Sequence, residues 1–162
     1  MNLKAQRERQ TCGEFVGEIE TVSVGLVLES GATRPEYRTH GAAGMDLCAS
    51  ADVTLAPGER HLVPTGVRVS IPAGFEGQVR PRSGLAIRYG LGMVNSPGTI
   101  DSAYRGEISL ILINHGQEQV QLAKGERVAQ LVICPIARAL LVEAVELDET
   151  HRGEGGFGST GI

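Results

Sequence analysis

Asp101 and Tyr104, three residues apart in the stretch NSPGTIDSAYRGE, are the side chains best suited to act on a small polar ligand. Asp101 follows apolar Ile100, and a carboxylate in a partly dry place suits a general base. Tyr104 adds a flat ring beside it. A turn aspartate and a core tyrosine are the plainer reading, and the local pattern does not choose between the two. Just before them, Pro97-Gly98 reads as the tip of a β-hairpin, whose backbone near Gly98, Thr99 and Ile100 is open to a ligand, with Asn95 at its start. The segment RPRSGLA has phosphate chemistry. Ser83 can cap a short helix, and the amides at that helix start, next to Arg80 and Arg82, would meet an anion. An ordinary cap explains the same residues. In AAGMDLCA, Asp46 sits among apolar neighbours after Gly44, either as a turn former or as a ligand-facing acid. In GERVAQLV, the polar Gln130 interrupts an apolar run that begins near Arg127, so it needs a partner on another strand or in a ligand. The closing stretch RGEGGFGSTGI has too little side chain to build a core. Yet Arg152 is a phosphate donor, Phe157 a stacking face, and Ser159 and Thr160 hydroxyl donors. The stretch is either a frayed end or a lid over a nucleotide.

The elements that must hold these groups are strands. The chain has 162 residues, with 22 glycines, 7 prolines, no tryptophan and six other aromatics, which suits short strands and tight turns in one domain. The runs VSVGLVL, VRVSI, EGQVRP, EISLILIN, VQLA, RVAQLVICPI and LLVEAVEL are β-type. Turns are expected at Pro57-Gly58, Pro72-Ala73-Gly74, Pro97-Gly98 and Lys124-Gly125, and one short helix from Ser83 to just before Gly90. The pattern is all-β, a barrel or jelly roll, over residues 21–147. Residues 1–20 form a polar extension expected to order poorly, and residues 148–162 a flexible glycine-rich arm. A net charge of −4 gives no basic face for nucleic acid, though local arginines can still grip a phosphorylated small molecule. Cys12, Cys48 and Cys134 are odd in number and widely spaced, as reduced thiols of a cytoplasmic protein would be. No apolar stretch approaches a membrane span, so no membrane partner is expected.

In order and spacing, AGMDL, RPRSGLA, GTIDSAYRGE, GERVAQLV and RGEGGFGSTG resemble the five motifs of the trimeric dUTPase family, across residues 22–162. The resemblance implies a distorted jelly roll, a homotrimer with shared active sites, and hydrolysis of dUTP to dUMP and pyrophosphate with Mg²⁺ on the triphosphate. Asp101 then matches the acid that deprotonates the attacking water, and Asp46 the acid that holds the metal through water. Arg82, Ser83 and Gly84 match the phosphate-binding segment, with Arg127 and Gln130 on the strand supporting it. Asn95 and the backbone of Gly98, Thr99 and Ile100 match the uracil-reading hairpin, and Tyr104 the ring under the sugar. Arg152, Phe157, Gly158 and Ser159 match the arm that clamps phosphate and stacks on the base.

One position departs from the family pattern. Where I-D-x-D-Y-R-G is common, Ala103 stands at the second acid, so a bond that stiffens the hairpin is expected to be lost. Two other readings accompany this one. A dCTP deaminase, or its bifunctional form, is similar in fold but would not normally end in this Phe-Gly arm. A trimer that keeps the pocket as a nucleotide-gated switch for a protein partner would need a use for residues 1–20.

Overall fold

Strand formation follows the alternation of apolar residues. In Glu107–Asn114 (β8), Ile108, Leu110, Leu112 and Asn114 point inward and are buried, while the residues between them face outward. The computed structural model describes residues 20–156. Among them the chain forms ten strands and one helix, in all-β architecture.

Three antiparallel sheets enclose the core. The first runs Gly25–Leu28 (β1), Arg60–Ser70 (β4), β8 and Leu91–Met93 (β6). The second runs Met45–Cys48 (β2), Arg127–Pro135 (β10), Phe75–Pro81 (β5) and Gly98–Ile100 (β7). Val53–Leu55 (β3) pairs with Val120–Leu122 (β9). Leu47, Leu55, Val63, Val67, Leu110, Ala129 and Leu131 meet between the sheets with no exposed surface. Among the described residues the one deeply buried side-chain amide is satisfied: Asn114 donates to the Leu55 and Glu118 carbonyls and accepts from Gly116 N–H. Among the described residues no helix is long and apolar enough to cross a membrane.

The helix Ser83–Tyr89 (α1) follows Pro81, the last residue of β5, as the sequence predicts. Its cap differs from expectation. Arg82, in extended conformation, occupies the N-cap position without a side-chain capping bond, and Ser83 is the first helical residue. The helix stops at Gly90, where φ is 67° and a Cβ would come within 2.7 Å of Gly116 N.

Two other expectations are corrected. The Pro97-Gly98 turn does not close a hairpin: β6 before it pairs with β8, and β7 after it pairs with β5, so the turn passes between sheets. The run LLVEAVEL is not a strand. The last bond to the sheets comes from Ile136 N–H to the Gly74 carbonyl, and beyond it Leu140, Leu141, Val142, Val145 and Leu147 are all at least 79% exposed. A strand needs a neighbour for its backbone groups, and this segment lies along none of the three sheets.

Candidate active site

Asp46 is the focus of one cluster. It lies on β2, where a strand residue replaces the expected turn, and it is 4% exposed. Its carboxylate faces three guanidiniums from three parts of the chain. Arg127 Nη1 on β10 lies 2.9 Å from Oδ2, Arg38 Nε 3.3 Å from the same oxygen, and Arg82 Nε at the helix start 3.4 Å from Oδ1. Arg82 Nη1 also donates to the Arg127 carbonyl at 2.9 Å, tying the helix start to β10. Burial opposes the charge on Asp46. The Arg127 hydrogen bond, the Arg82 charge and the Arg38 hydrogen bond outweigh it and hold the carboxyl below its ordinary range.

Around this focus the phosphate-type residues converge. Gln130 stands opposite Asp46 on one side and Arg80 on the other, giving one row across β2, β10 and β5. Arg80 itself is turned to Gln78, donating to Oε1 at 2.6 Å. Ser83 and Gly84 are exposed at the helix start next to Arg82. The Ser83 and Gly84 amides precede the first intrahelical bond, from Leu85 N–H to the Arg82 carbonyl at 3.1 Å, so they are open to an external anion.

A second cluster lies across the sheet. A cleft of 400 Å³ is bordered by Asn95, Gly98, Thr99, Ile100, Asp101 and Tyr104, the whole set expected from NSPGTIDSAYRGE. Strand β7 is the outer edge of its sheet, so one row of its backbone N–H and C=O groups faces away from β5. Asp101 is exposed here, not partly dry as the sequence suggests, and Tyr104 is 43% exposed rather than a core residue. The loop between them is firm despite Ala103. Tyr104 N–H donates to the Asp101 carbonyl at 3.0 Å, and Arg105 Nη1 reaches the Ser102 carbonyl at 2.7 Å. The Tyr104 hydroxyl donates to the Glu107 carbonyl at 2.9 Å, and a Cβ on Gly106 would fall on that hydroxyl. Glu107 then anchors the loop to the first sheet, its Oε1 accepting from Thr65 N–H and Gly66 N–H at a bulge in β4.

Leu62, Met93, Glu107 and Ser109 also line the cleft, and sequence reasoning missed them. Glu107 and Ser109 are outward members of the β8 alternation, and Leu62 is an exposed residue of β4, positions that a pattern reading assigns to solvent. On its other side Asp101 borders a hollow of 280 Å³ with Glu76, Ala103 and Arg138.

The two clusters stay apart within one chain. Asp46 on β2 and Asp101 just past β7 occupy opposite edges of a four-stranded sheet. Three strand spacings separate them, roughly 14 Å. Ile100 pairs with Gly77, which puts Asp101 level with Glu76, and Arg80 lies four residues further along β5, roughly another 13 Å. One phosphorus cannot touch both aspartates. Arg152 is separate again, exposed and donating through Nε to the Gly155 carbonyl at 2.7 Å. Phe157, Gly158 and Ser159 lie outside the described residues.

The donors present do not fit a metal held by the protein alone. Among the described residues no three His, Cys, Asp or Glu side chains gather, and Asp46 already faces three cations. A water-mediated hold on Mg²⁺ would need at least one arginine to turn to another anion.

Comparison with known proteins decides the family. The family model described as dUTPase matches residues 31–161. The chain belongs to the dUTPase family. A deoxyuridine 5'-triphosphate nucleotidohydrolase from an Anaeromyxobacter species is 65% identical over 127 residues, covering 78% of this chain and 86% of that protein. One from a Thermoanaerobacter species is 58% identical over 130 residues, covering 79% and 88%. Among solved structures, a mutant dUTPase of Staphylococcus bacteriophage 80alpha with dUpNHpp superposes with a TM-score of 0.81 at 29% identity, covering 88% of this chain and all of that one. A mutant dUTPase of phage phi11 of S. aureus, described for its coordination of a structural Mg(II) ion, has a TM-score of 0.71 at 27% identity, covering 76% and 97%.

Proposed function

We propose that this dUTPase-family chain hydrolyses dUTP to dUMP and pyrophosphate, in active sites built from more than one copy in a homotrimer. The observation that carries this reading is the cleft along β7, which gathers a base-reading edge, a sugar-sized ring and one exposed carboxylate. Asn95 and the free backbone edge of Gly98, Thr99 and Ile100 form a fixed pattern of donors and acceptors for uracil. Cytosine carries a donor where uracil has O4 and an acceptor where uracil has N3–H, so a rigid backbone pattern rejects it. Tyr104 packs under the deoxyribose and fills the place of a 2′-hydroxyl.

Asp101 accepts a proton from water as the water oxygen bonds to the α-phosphorus, and the α–β bridging bond breaks to release pyrophosphate. The charge on the phosphates meets Arg82, the Ser83 and Gly84 amides, and the Gln130 and Arg127 strand of a neighbouring chain. Asp46 keeps these arginines in place. Mg²⁺ bound to the triphosphate would lower its charge, and Asp46 would hold it through water once one of its arginines turned to a phosphate. Arg152, Phe157, Gly158 and Ser159 close the site, clamping phosphate and covering the base.

Two features support assembly: the separation of Asp46 from Asp101, and the exposed apolar side chains between 140 and 147. A monomer gains nothing by exposing such a run, whereas a neighbouring copy could take it up. A cytoplasmic setting is part of this reading, on the odd number and wide spacing of Cys12, Cys48 and Cys134 in the sequence. Pyrophosphate release measured with dUTP, dCTP, dTTP and UTP tests the reading. Turnover of dUTP far above the other three is expected; equal turnover, or ammonia release from dCTP, would overturn it.

A further inference from the structure

The third arginine on Asp46 is one that none of the five family motifs contains. Arg38 lies in the loop before β2, and its segment is fixed to that strand by Asp46 N–H donating to the Glu36 carbonyl at 3.0 Å. Its guanidinium is shared between two carboxylates, with Nε 3.3 Å from Asp46 Oδ2 and Nη1 3.4 Å from Glu36 Oε2. Both contacts are long, and the Arg38 and Glu36 side chains are 50% and 55% exposed. Arg38 is therefore loosely held, in contrast to Arg127 at 2.9 Å.

Charge balance gives the cluster a direction. Arg38, Arg82 and Arg127 bring three positive charges against the two negative charges of Asp46 and Glu36. A chain of net charge −4 thus carries a local positive surplus, with guanidiniums that reach the surface. A compact polyanion is the ligand chemistry such a surplus fits, and a guanidinium can offer it two parallel hydrogen bonds.

We propose that Arg38 is an additional phosphate-contacting residue of the triphosphate site, exchanging Glu36 for a phosphate oxygen when the polyphosphate binds. This rests on the dUTP reading for the identity of the natural ligand, but the contact itself can be tested with inorganic tripolyphosphate. Calorimetric titration of the intact protein, in EDTA without added metal, supplies the baseline. Arg38→Gln should weaken tripolyphosphate binding on the order of 10-fold, the loss of one charge-assisted contact pair. Deoxyuridine, which has no phosphate, should bind unchanged, showing that the variant is folded. Glu36→Gln removes the competing carboxylate and should bind tripolyphosphate at least as tightly as the wild type.

Equal tripolyphosphate affinity in wild type and Arg38→Gln would overturn the proposal while leaving the dUTP reading intact. Weaker binding in Glu36→Gln would also overturn it, because the pair would then serve only to brace Asp46. Failure of the wild type to bind tripolyphosphate, together with no turnover of dUTP, would remove both.

Discussion

Asp46 and Asp101 stand at opposite edges of the same four-stranded sheet, one beside three arginines and the other at the mouth of a cleft. The sheet that fixes both also keeps them from serving one phosphorus in one chain. One aspartate holds arginines and the other is exposed to water, and under the proposed function their joint action takes a second copy.

Replacing Asp101 by Asn keeps the shape and removes the proton acceptor. Turnover of dUTP should fall on the order of 10²–10⁴-fold. Affinity for a non-hydrolysable dUTP analogue should change little, since the exposed Asp101 carboxylate supports no core contact. Near-normal turnover in a stopped-flow assay would make Asp101 a turn residue.

Tyr104 separates sterics from hydrogen bonding. Tyr104→Ala should narrow the preference for dUTP over UTP by opening the space under the sugar. Tyr104→Phe keeps the ring and should keep the preference, while losing the bond to the Glu107 carbonyl, about 0.5–1.5 kcal/mol of stability. Competition assays and thermal melts on the two variants read the two effects apart.

Asp46 predicts an acid limb of stability. Its carboxyl titrates below the ordinary 3.8 in the folded chain, so its contribution is present above that value and is lost as pH falls through the lower, folded value. Asp46→Asn should cost about 1.5–3 kcal/mol near neutrality, the worth of hydrogen bonds to a charged group. The gap between variant and wild type should close as pH drops below 3.8, as read from denaturant midpoints.

The arm should matter to catalysis and not to the fold. Among the described residues Ile133 is the last apolar one packed against the core, so a chain stopped after Glu149 should melt near the full-length temperature. It should lose most of its kcat/KM for dUTP if, as proposed, the arm closes to exclude water and hold the phosphates. Trypsin should cut at exposed Arg152 in the free protein, and nucleotide with Mg²⁺ should protect that bond.

Much of this was legible in the residues. Alternation located β8 and most of β10, and Pro81 with Gly90 bounded the helix, because those signals are local. The stretch from Asn95 to Tyr104 stands out whole in the sequence, since a turn and its chemistry lie within ten residues of chain. What the sequence leaves unmarked depends on distant partners. The Pro97-Gly98 turn looks like a hairpin until the sheets show that β6 and β7 belong to different layers. LLVEAVEL has strand composition, but no edge of its own chain receives it. Arg38 lies in a loop with no pattern to mark it, and only the fold brings it within 3.3 Å of Asp46.

Subunit mixing tests the shared site most directly. Asp46→Asn and Asp101→Asn proteins, each poorly active alone, are combined in equal amounts and allowed to exchange subunits before pyrophosphate release from dUTP is measured. If one chain supplies Asp101 and another Asp46, random assortment leaves roughly a quarter of the sites with both residues intact, and activity returns to about that fraction of wild type. Activity that stays at the level of the unmixed variants, with exchange verified by mass spectrometry, would mean that both aspartates must come from one chain and would contradict the account.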